Sequence, residues 1–495
     1  MPPGITIVGL GPGAPGQLTV EAQQVLSSAP AVYLRTRQHP TVAALDPRVE
    51  LHSFDSVYEQ CSTFEEVYAT IAREVIELGR RPEGVVYAVP GHPRMGEASV
   101  RCILDLAHQN SLPVRIVEGL SFLEPICTQL GADPLDGLQI ADATTLAQAH
   151  FPAVDPDQPL LVGQVYSREI AAELKLSLMM VYPDDHPVTL LRAAGTEQGA
   201  LRRIPLYDLD RGTQIDHLTS LWVPPLAQPG GLVSFEELVA HLRAPEGCPW
   251  DREQTHTSLR PYLLQEAYEV LEALDREDPD ALKEELGDLL LQIVLHAQIA
   301  TEEQEFKMTD VVSNIVTKLK RRHPHVFGQV TVSGARDVLV NWERIKSEEK
   351  RQARTAAGKP APRPGMLSGV PPSLPALARA QELLQRAARS GLEEPGGSAT
   401  ARASVAWEKL QATSGAAAEE PLGDLLLALT DLSRYLQVDA ESALRAAIQR
   451  LESAIARLEE RLEQQGQELH DLNPAERLQL WSEAQKEAAD PPHQG

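Results

Sequence analysis

The chain has 495 residues, with 70 acidic and 45 basic side chains and a formal net charge of -25. This length predicts two to four domains, and the acidic balance argues against a general nucleic-acid binder, which presents a basic face. Cys61, Cys102, Cys127 and Cys248 show no Cys-x-x-Cys spacing, so no zinc site or disulfide framework is indicated; the lack of a signal peptide or of any apolar run near ~20 residues predicts a cytoplasmic protein without a membrane span.

From the N-terminus, residues 5–8 read as a buried strand leading into Gly9-Leu10-Gly11-Pro12-Gly13-Ala14. By letters this loop satisfies the dinucleotide fingerprint G-x-G-x-x-A. Pro12 and Pro15 prevent a helix from opening inside it, and no acidic residue follows the next strand-like run at 31–34, so the pattern is not that of a Rossmann dehydrogenase. The first helix is expected to begin later, with Thr19 as its cap. Further strands are predicted at 84–89, 114–117, 160–165 and 178–182, separated in several places by helical patterns, which implies an α/β domain. After Val89, the run Pro90-Gly91-His92-Pro93-Arg94-Met95-Gly96 is a loop at a strand end, where α/β folds place ligands.

Residues 227–233 contain a Pro/Gly-rich stretch and are read as a linker between domain 1–226 and a nearly all-helical half. Ser234 with Glu237 resembles a capping box opening a domain at 234–350. Leu263, Ala267, Val270, Leu271 and Leu274 recur at helical spacing. Asp278 is expected to cap a second helix with Pro279 in its first position, and the apolar residues almost all round 286–294 predict that this helix is enclosed in a bundle. Glu266 and Glu269 lie three apart on the first helix, Glu285 and Asp288 three apart on the second, so each pair shares a face. A short connection makes the helices antiparallel neighbours whose acidic faces can converge. Gathered carboxylates repel unless a cation joins them, and such oxygen ligands suit Mg2+ or Mn2+.

Lys318, Lys320, Arg321 and Arg322 cluster at a helix end that Pro324 enforces. Cations there complement the helix dipole at the least; opposite a metal-carboxylate site they can also grip phosphate oxygens. Trp342 can stack on a base or fill core, and Lys346, one turn on, can reach a phosphate. Residues 351–375 read as a second linker. In the final segment, 376–490, Gly423-Asp424-Leu425-Leu426-Leu427 echoes Gly287-Asp288-Leu289-Leu290-Leu291, Trp481 echoes Trp342, and Pro421 stands where Glu285 stood. This second copy is expected to keep the bundle and lose the site, with a long packing helix at 443–465.

Two resemblances follow. Gly247-Cys248-Pro249-Trp250-Asp251, Glu284-Glu285-Leu286-Gly287-Asp288-Leu289-Leu290, the run 318–327 and Asn341-Trp342-Glu343-Arg344-Ile345-Lys346 resemble the MazG nucleoside triphosphate pyrophosphohydrolases. The resemblance implies metal ligands at Glu266, Glu269, Glu285 and Asp288, substrate contacts at Lys318, Arg321, Arg322, Trp342 and Lys346, and a dimer. Gln265 replaces the first Glu of the family's acidic pattern, and Glu284 or Glu272 is left open as general base. Residues 8–13 with Leu18-Thr19, Pro90-Gly91-His92-Pro93 and Glu118-Gly119-Leu120-Ser121 are similar to tetrapyrrole methylases that use S-adenosylmethionine. That similarity implies cofactor contacts at Gly9, Gly11, Pro12, Gly13, Pro90, Gly91 and His92, with His92 in place of the usual Asp of a Gly-Asp-Pro loop. The expected architecture is multidomain, an N-terminal α/β tetrapyrrole-methylase-like domain followed by all-α MazG helical bundle domains. The expected activity is Mg2+-dependent conversion of a nucleoside triphosphate to monophosphate and pyrophosphate. The alternative is a methyltransferase, or cofactor sensor, whose helical half is regulatory.

Overall fold

The apolar run at the N-terminus forms strand β1 (Ile5–Gly9), whose side chains alternate between two cores. In this computed structural model, which describes residues 3–212, 214–356, 370–392 and 398–489, the chain continues through α1 (Val20–Ser28), β2 (Ala31–Leu34), β3 (Glu50–Ser53), α2 (Asp55–Gln60), α3 (Phe64–Gly79), β4 (Val85–Val89), α4 (Ala98–Gln109) and β5 (Val114–Val117). The five strands form a fully parallel sheet of order β3-β2-β4-β1-β5. Ile5 and Ile7 pack with Ile71 and Val75 of α3 and Ile103 of α4, while Val8 packs with Ala22 and Leu26 of α1 on the other side. A sheet covered on both faces explains why its central strands read as near-continuous apolar runs.

A second sheet follows, built from α5 (Leu123–Leu130), β6 (Gln139–Asp142), α6 (Ala143–Ala147), β7 (Leu160–Gly163), α7 (Arg168–Leu178), β8 (Pro187–Arg192), β9 (Ala200–Pro205) and β10 (Thr219–Val223). Its order is β6-β7-β10-β8-β9, parallel between β6 and β7 and antiparallel elsewhere. The strand predicted at 178–182 is not formed. Leu174, Leu178 and Tyr182 recur every four residues and enter one core together, a helical period that continues α7 into a turn. Five strands are absent from the sequence reading: β3, β6 and β9 are sheet edges, where short or polar-rich segments suffice, whereas β8 and β10 are interior to the second sheet.

The first unit, Met1–Gln254, closes with α8 (Leu232–Arg243) and α9 (Pro249–Glu253). The capping box at Ser234 is corrected, because α8 already starts at Leu232 and Ser234 lies in its first turn. Asp157 anchors that turn instead: its carboxylate accepts the Gly230 and Gly231 amides at 2.8 and 2.9 Å, and the Ser234 hydroxyl.

The second unit, Thr255–Gly495, is helical. It comprises α10 (Arg260–Asp275), α11 (Pro279–Glu302), α12 (Met308–Arg322), α13 (Pro324–Phe327), α14 (Ala335–Ala356), α15 (Ala376–Arg389), α16 (Ala399–Gln411), α17 (Glu419–Tyr435), α18 (Ala440–Gln465) and α19 (Pro474–Ala489). Helix α14 extends into the stretch read as a second linker, of which 357–369 lie outside the described residues. The Asp278 carboxylate accepts the Asp280 and Ala281 amides, with Pro279 in the first turn, as its cap position requires. The hairpin α10/α11 recurs as α16/α17, and Pro421 sits in the first turn of α17, where it breaks no intrahelical bond. Arg445 of α18 binds Asp275 at the end of α10 at 3.1 Å, tying the two copies into one unit.

Enclosure of α11 is only half realised. Its C-terminal half buries Gln292, Val294, Leu295, Ala297, Ile299 and Ala300, whereas Leu286, Leu290 and Ile293 are 49, 36 and 41 % exposed in the single chain. Among the described residues, no helix is long and apolar enough to cross a membrane.

Candidate functional site

Three of the four predicted acids converge. One carboxylate oxygen from each of Glu266, Glu285 and Asp288 lies within 4.8 Å of the other two, across the α10/α11 hairpin. Glu269 stands against this trio, sharing a hydrogen bond with Glu266. Gln265 donates from Nε2 to Glu269 Oε1 at 3.1 Å, so the residue that departs from the family pattern orients a neighbouring acid. The Glu266 carboxyl is pushed up to about 7, first by desolvation, then by the bond to Glu269 and the charges of Glu269, Asp288 and Glu285. Glu285 is raised too, by desolvation and by the same acidic neighbours. Two cations of the hairpin are used elsewhere: Arg276 binds Glu272, and Lys283 binds Asp280. An all-oxygen donor set that holds protons when alone fits a hard divalent ion.

The predicted phosphate cations meet a partner that the sequence reading missed. Arg322 of α12 grips Glu349 of α14 with Nε at 3.2 Å and Nη2 at 2.6 Å, and Arg321 Nε reaches the same carboxylate at 2.7 Å. The Arg322 guanidinium and Lys346 Nζ lie 5.0 and 4.7 Å from the Trp342 ring centroid. Arg321, Arg322, Trp342, Lys346 and Glu349 are therefore one cluster on the α12/α14 pair, with half-buried Lys318 one turn before Arg322. The two guanidiniums hold the Glu349 carboxyl below the usual range. Its signal was present in the spacing, since Trp342, Lys346 and Glu349 recur at four and three residues along one helix face.

In the first unit, the three Gly-containing loops come together. The Gly11 and Gly91 backbones exchange hydrogen bonds of 3.3 and 2.8 Å. A Cβ placed on Gly9 would stand 2.6 Å from Gly91 O and 2.8 Å from Gly119 N. Gly11 and Gly91 have φ of +70° and +65°, which glycine tolerates. Thr19 accepts the Ala22 amide at 3.1 Å as the cap of α1 and donates to Glu118 O at 3.1 Å, joining the first loop to the third. Pro12, Pro90, Gly91 and His92 line a cleft of about 1730 Å³ beside this junction; Gly13, at φ +139°, continues the first loop. His92 Nδ1 accepts the Arg94 amide at 3.1 Å, a bond within its own loop. The cleft also holds residues with no sequence signal. His39 is buried and its imidazole is pushed down to about 4, by desolvation and then by His217. Buried Glu97 pairs with Arg35, yet desolvation still raises its carboxyl.

Gly9→Ala is expected to destabilise the first unit by about 3 kcal/mol, because the contacts it meets are backbone and cannot swing away. Urea unfolding of the full chain monitors this; a loss under about 1 kcal/mol would mean the loops separate freely.

The sequence profile of the tetrapyrrole (corrin/porphyrin) methylases matches residues 4–210, and that of the MazG nucleotide pyrophosphohydrolase domain matches residues 254–327. An uncharacterized Bacillus subtilis (strain 168) protein, YabN, is 38 % identical over 493 residues, covering 97 % of this chain and 98 % of its own. The nucleoside triphosphate pyrophosphohydrolase/pyrophosphatase MazG of Thermotoga maritima is 40 % identical over 258 residues, 51 % of this chain and 96 % of its own. The nucleoside triphosphate pyrophosphohydrolase of Escherichia coli (strain K12) is 38 % identical over 261 residues, 51 % of this chain and 96 % of its own. Matched on both halves, and along its length by one relative, the chain belongs to the family of fusions that join a tetrapyrrole methylase domain to a MazG nucleotide pyrophosphohydrolase domain.

Proposed function

We propose that the helical unit hydrolyses nucleoside triphosphates to the monophosphate and pyrophosphate, using Mg2+, with Mn2+ as a substitute. The observation that carries this reading is the convergence of the Glu266, Glu285 and Asp288 oxygens within 4.8 Å. The Thermotoga and Escherichia relatives, named as pyrophosphohydrolases, support it. Glu266, Glu269, Glu285 and Asp288 would hold the ion, which when bound supplies Lewis-acid polarisation at the phosphoryl group. Lys318, Arg321 and Arg322 offset charge on the distal phosphates and on the leaving pyrophosphate. For the two arginines this requires Glu349 to yield part of its grip, so substrate exchanges one anion for another. Trp342, already flanked by two cations, offers its face to the base or ribose.

The test is pyrophosphate release by the full chain from a panel of nucleoside triphosphates with Mg2+. Folded protein that releases none from any of them would overturn the reading. Trp342→Ala is expected to raise KM about tenfold with kcat within about twofold, because stacking is worth ~1–3 kcal/mol and acts before chemistry. A fall in kcat with KM unchanged would place Trp342 in the packing instead.

The junction at Gly9, Gly91 and Gly119 favours a second function, binding of S-adenosylmethionine by the first unit. Backbone crowded to this degree leaves amides and carbonyls, rather than side chains, to meet a ligand. Titration of the full chain with the cofactor, followed by a search for methyl transfer, separates enzyme from sensor; no binding would remove both. We also propose that copies pair through the apolar face that α10, α11 and α12 leave open, including Leu264, Leu286, Ile293 and Ile315. A monomer by sedimentation at micromolar concentration would exclude it.

A further inference from the structure

We propose a second metal site in the helical unit, formed by His256, Glu303 and Glu305 and suited to a zinc-like divalent ion. One ligand atom from each of these residues lies within 4.8 Å of the others. His256 precedes α10, and the two acids follow the end of α11. The site is separate from the acidic trio: Glu303, the cap of α11, follows Asp288 by fifteen positions, about 22 Å at ~1.5 Å per residue.

Three observations support a cation here. The first is the histidine pair. His256 Nδ1 lies 2.7 Å from His296 Nδ1, with the two ring planes within 10° of parallel and the centroids 5.0 Å apart, the edge-to-edge arrangement of an in-plane hydrogen bond. Only one proton can sit between two such nitrogens. In the tautomer in which His256 donates it to His296, His256 Nε2 carries a lone pair on the side of the carboxylates, and a bound cation would select that tautomer, with His296 as the outer partner that metal-binding histidines use. The second is distance. His256 Nε2 and Glu303 Oε2 are 4.0 Å apart, too far for a hydrogen bond and about 0.6 Å wider than the ~3.4 Å between two ligands of a tetrahedral zinc, so a small shift of the glutamate closes the site. Both glutamates are exposed, so a rotamer change brings the third ligand in. The third is field. Glu303 and Glu305 sit at the negative pole of the 24-residue α11, whose last turn contains no basic residue. Carboxylates are disfavoured there unless a cation compensates them.

The donor chemistry distinguishes the two sites. Four carboxylates prefer Mg2+ or Mn2+, whereas an imidazole with two carboxylates selects a softer, zinc-like ion. An ion held there would join the segment before α10 to the end of α11 and so brace the hairpin that carries the acidic trio.

The experiment titrates the metal-free full chain with Zn2+ in excess Mg2+ by calorimetry, with circular dichroism to verify folding. One zinc per chain is expected, with affinity unchanged in Glu266→Gln/Glu285→Gln and weakened at least tenfold in Glu303→Gln/Glu305→Gln and in His256→Asn. Zinc should also raise the thermal midpoint of the unmodified chain and leave that of Glu303→Gln/Glu305→Gln where it was. Because the glutamates are exposed, their double variant should fold normally. Zinc that fails to bind the unmodified chain, or that binds the Glu303/Glu305 variant equally well, overturns the proposal and leaves His256 and Glu303 as an ordinary ion pair. The result is independent of nucleotide hydrolysis, since the acid-site variant reports the two sites separately.

Discussion

Glu266→Gln should reduce pyrophosphate release about 10³-fold, a loss of ~4 kcal/mol of transition-state stabilisation, while the fold remains intact. The substitution keeps volume and removes one of three converging oxygens that carry charge. Glu266 is only partly buried and forms no ion pair among the described residues, so the change should leave the hairpin folded. Glu269→Gln should have a comparable effect, because Glu269 shares a hydrogen bond with Glu266. Glu408→Gln on α16 supplies the control, since the second hairpin has Pro421 where the first has Glu285, and its rate should match that of the unmodified chain. Kinetics at saturating nucleotide decide the matter. A Glu266→Gln enzyme retaining more than a tenth of the rate would remove the trio from the reaction, whatever its metal affinity.

Without divalent metal, the two units should respond to pH with opposite signs. Glu266 has a folded value near 7 against 4.5 for the ordinary carboxyl, so the folded state holds more protons than the unfolded chain in that window. Its contribution to stability is complete below about 4.5 and is lost as pH rises through 7. His39 behaves in reverse: it is lowered from 6.5 to about 4, so its contribution is present above 6.5 and is lost as pH falls towards 4. Between pH 4.5 and 6.5 the melting transition of the helical unit should therefore fall as that of the α/β unit rises. Mg2+ should stabilise the helical unit strongly at pH 8 and little at pH 5, because protons occupy the site in acid. Calorimetric scans of the metal-free full chain, with Glu266→Gln and His39→Asn assigning each transition, test both halves. A helical transition that climbs with pH across this window, or an equal Mg2+ effect at pH 5 and 8, would contradict the account.

The same residues show which parts of the molecule were legible beforehand. Cap signals were direct: Asp278 and Thr19 do what short polar side chains do before a helix, since the amides they accept are only two or three residues away. Ser234 misled because the amides of Gly230 and Gly231 are bound by Asp157, more than seventy residues back, and α8 starts before the serine. The run 178–182 misled because apolar residues in a short stretch fit two periods, and only packing of Leu174, Leu178 and Tyr182 into one core chose between them.

The sequence by itself determined the order of the two units, the helical hairpin with its acids, the loss of those acids in the second copy and the Gly-rich loops at strand ends. Each is set by neighbours within about one or two helical turns or by the identity of a single residue, and such local terms survive without knowledge of the rest of the chain. Tertiary structure alone decided that Glu266, Glu285 and Asp288 meet while Glu269 stands beside them, and that Arg321 and Arg322 close on Glu349. It also decided that Gly9, Gly91 and Gly119 touch and that His256 faces Glu303 and Glu305. These are contacts between segments distant in sequence or on different elements. Their distances follow from how helices and loops pack, and their proton affinities follow from the burial and neighbouring charge that the packing creates.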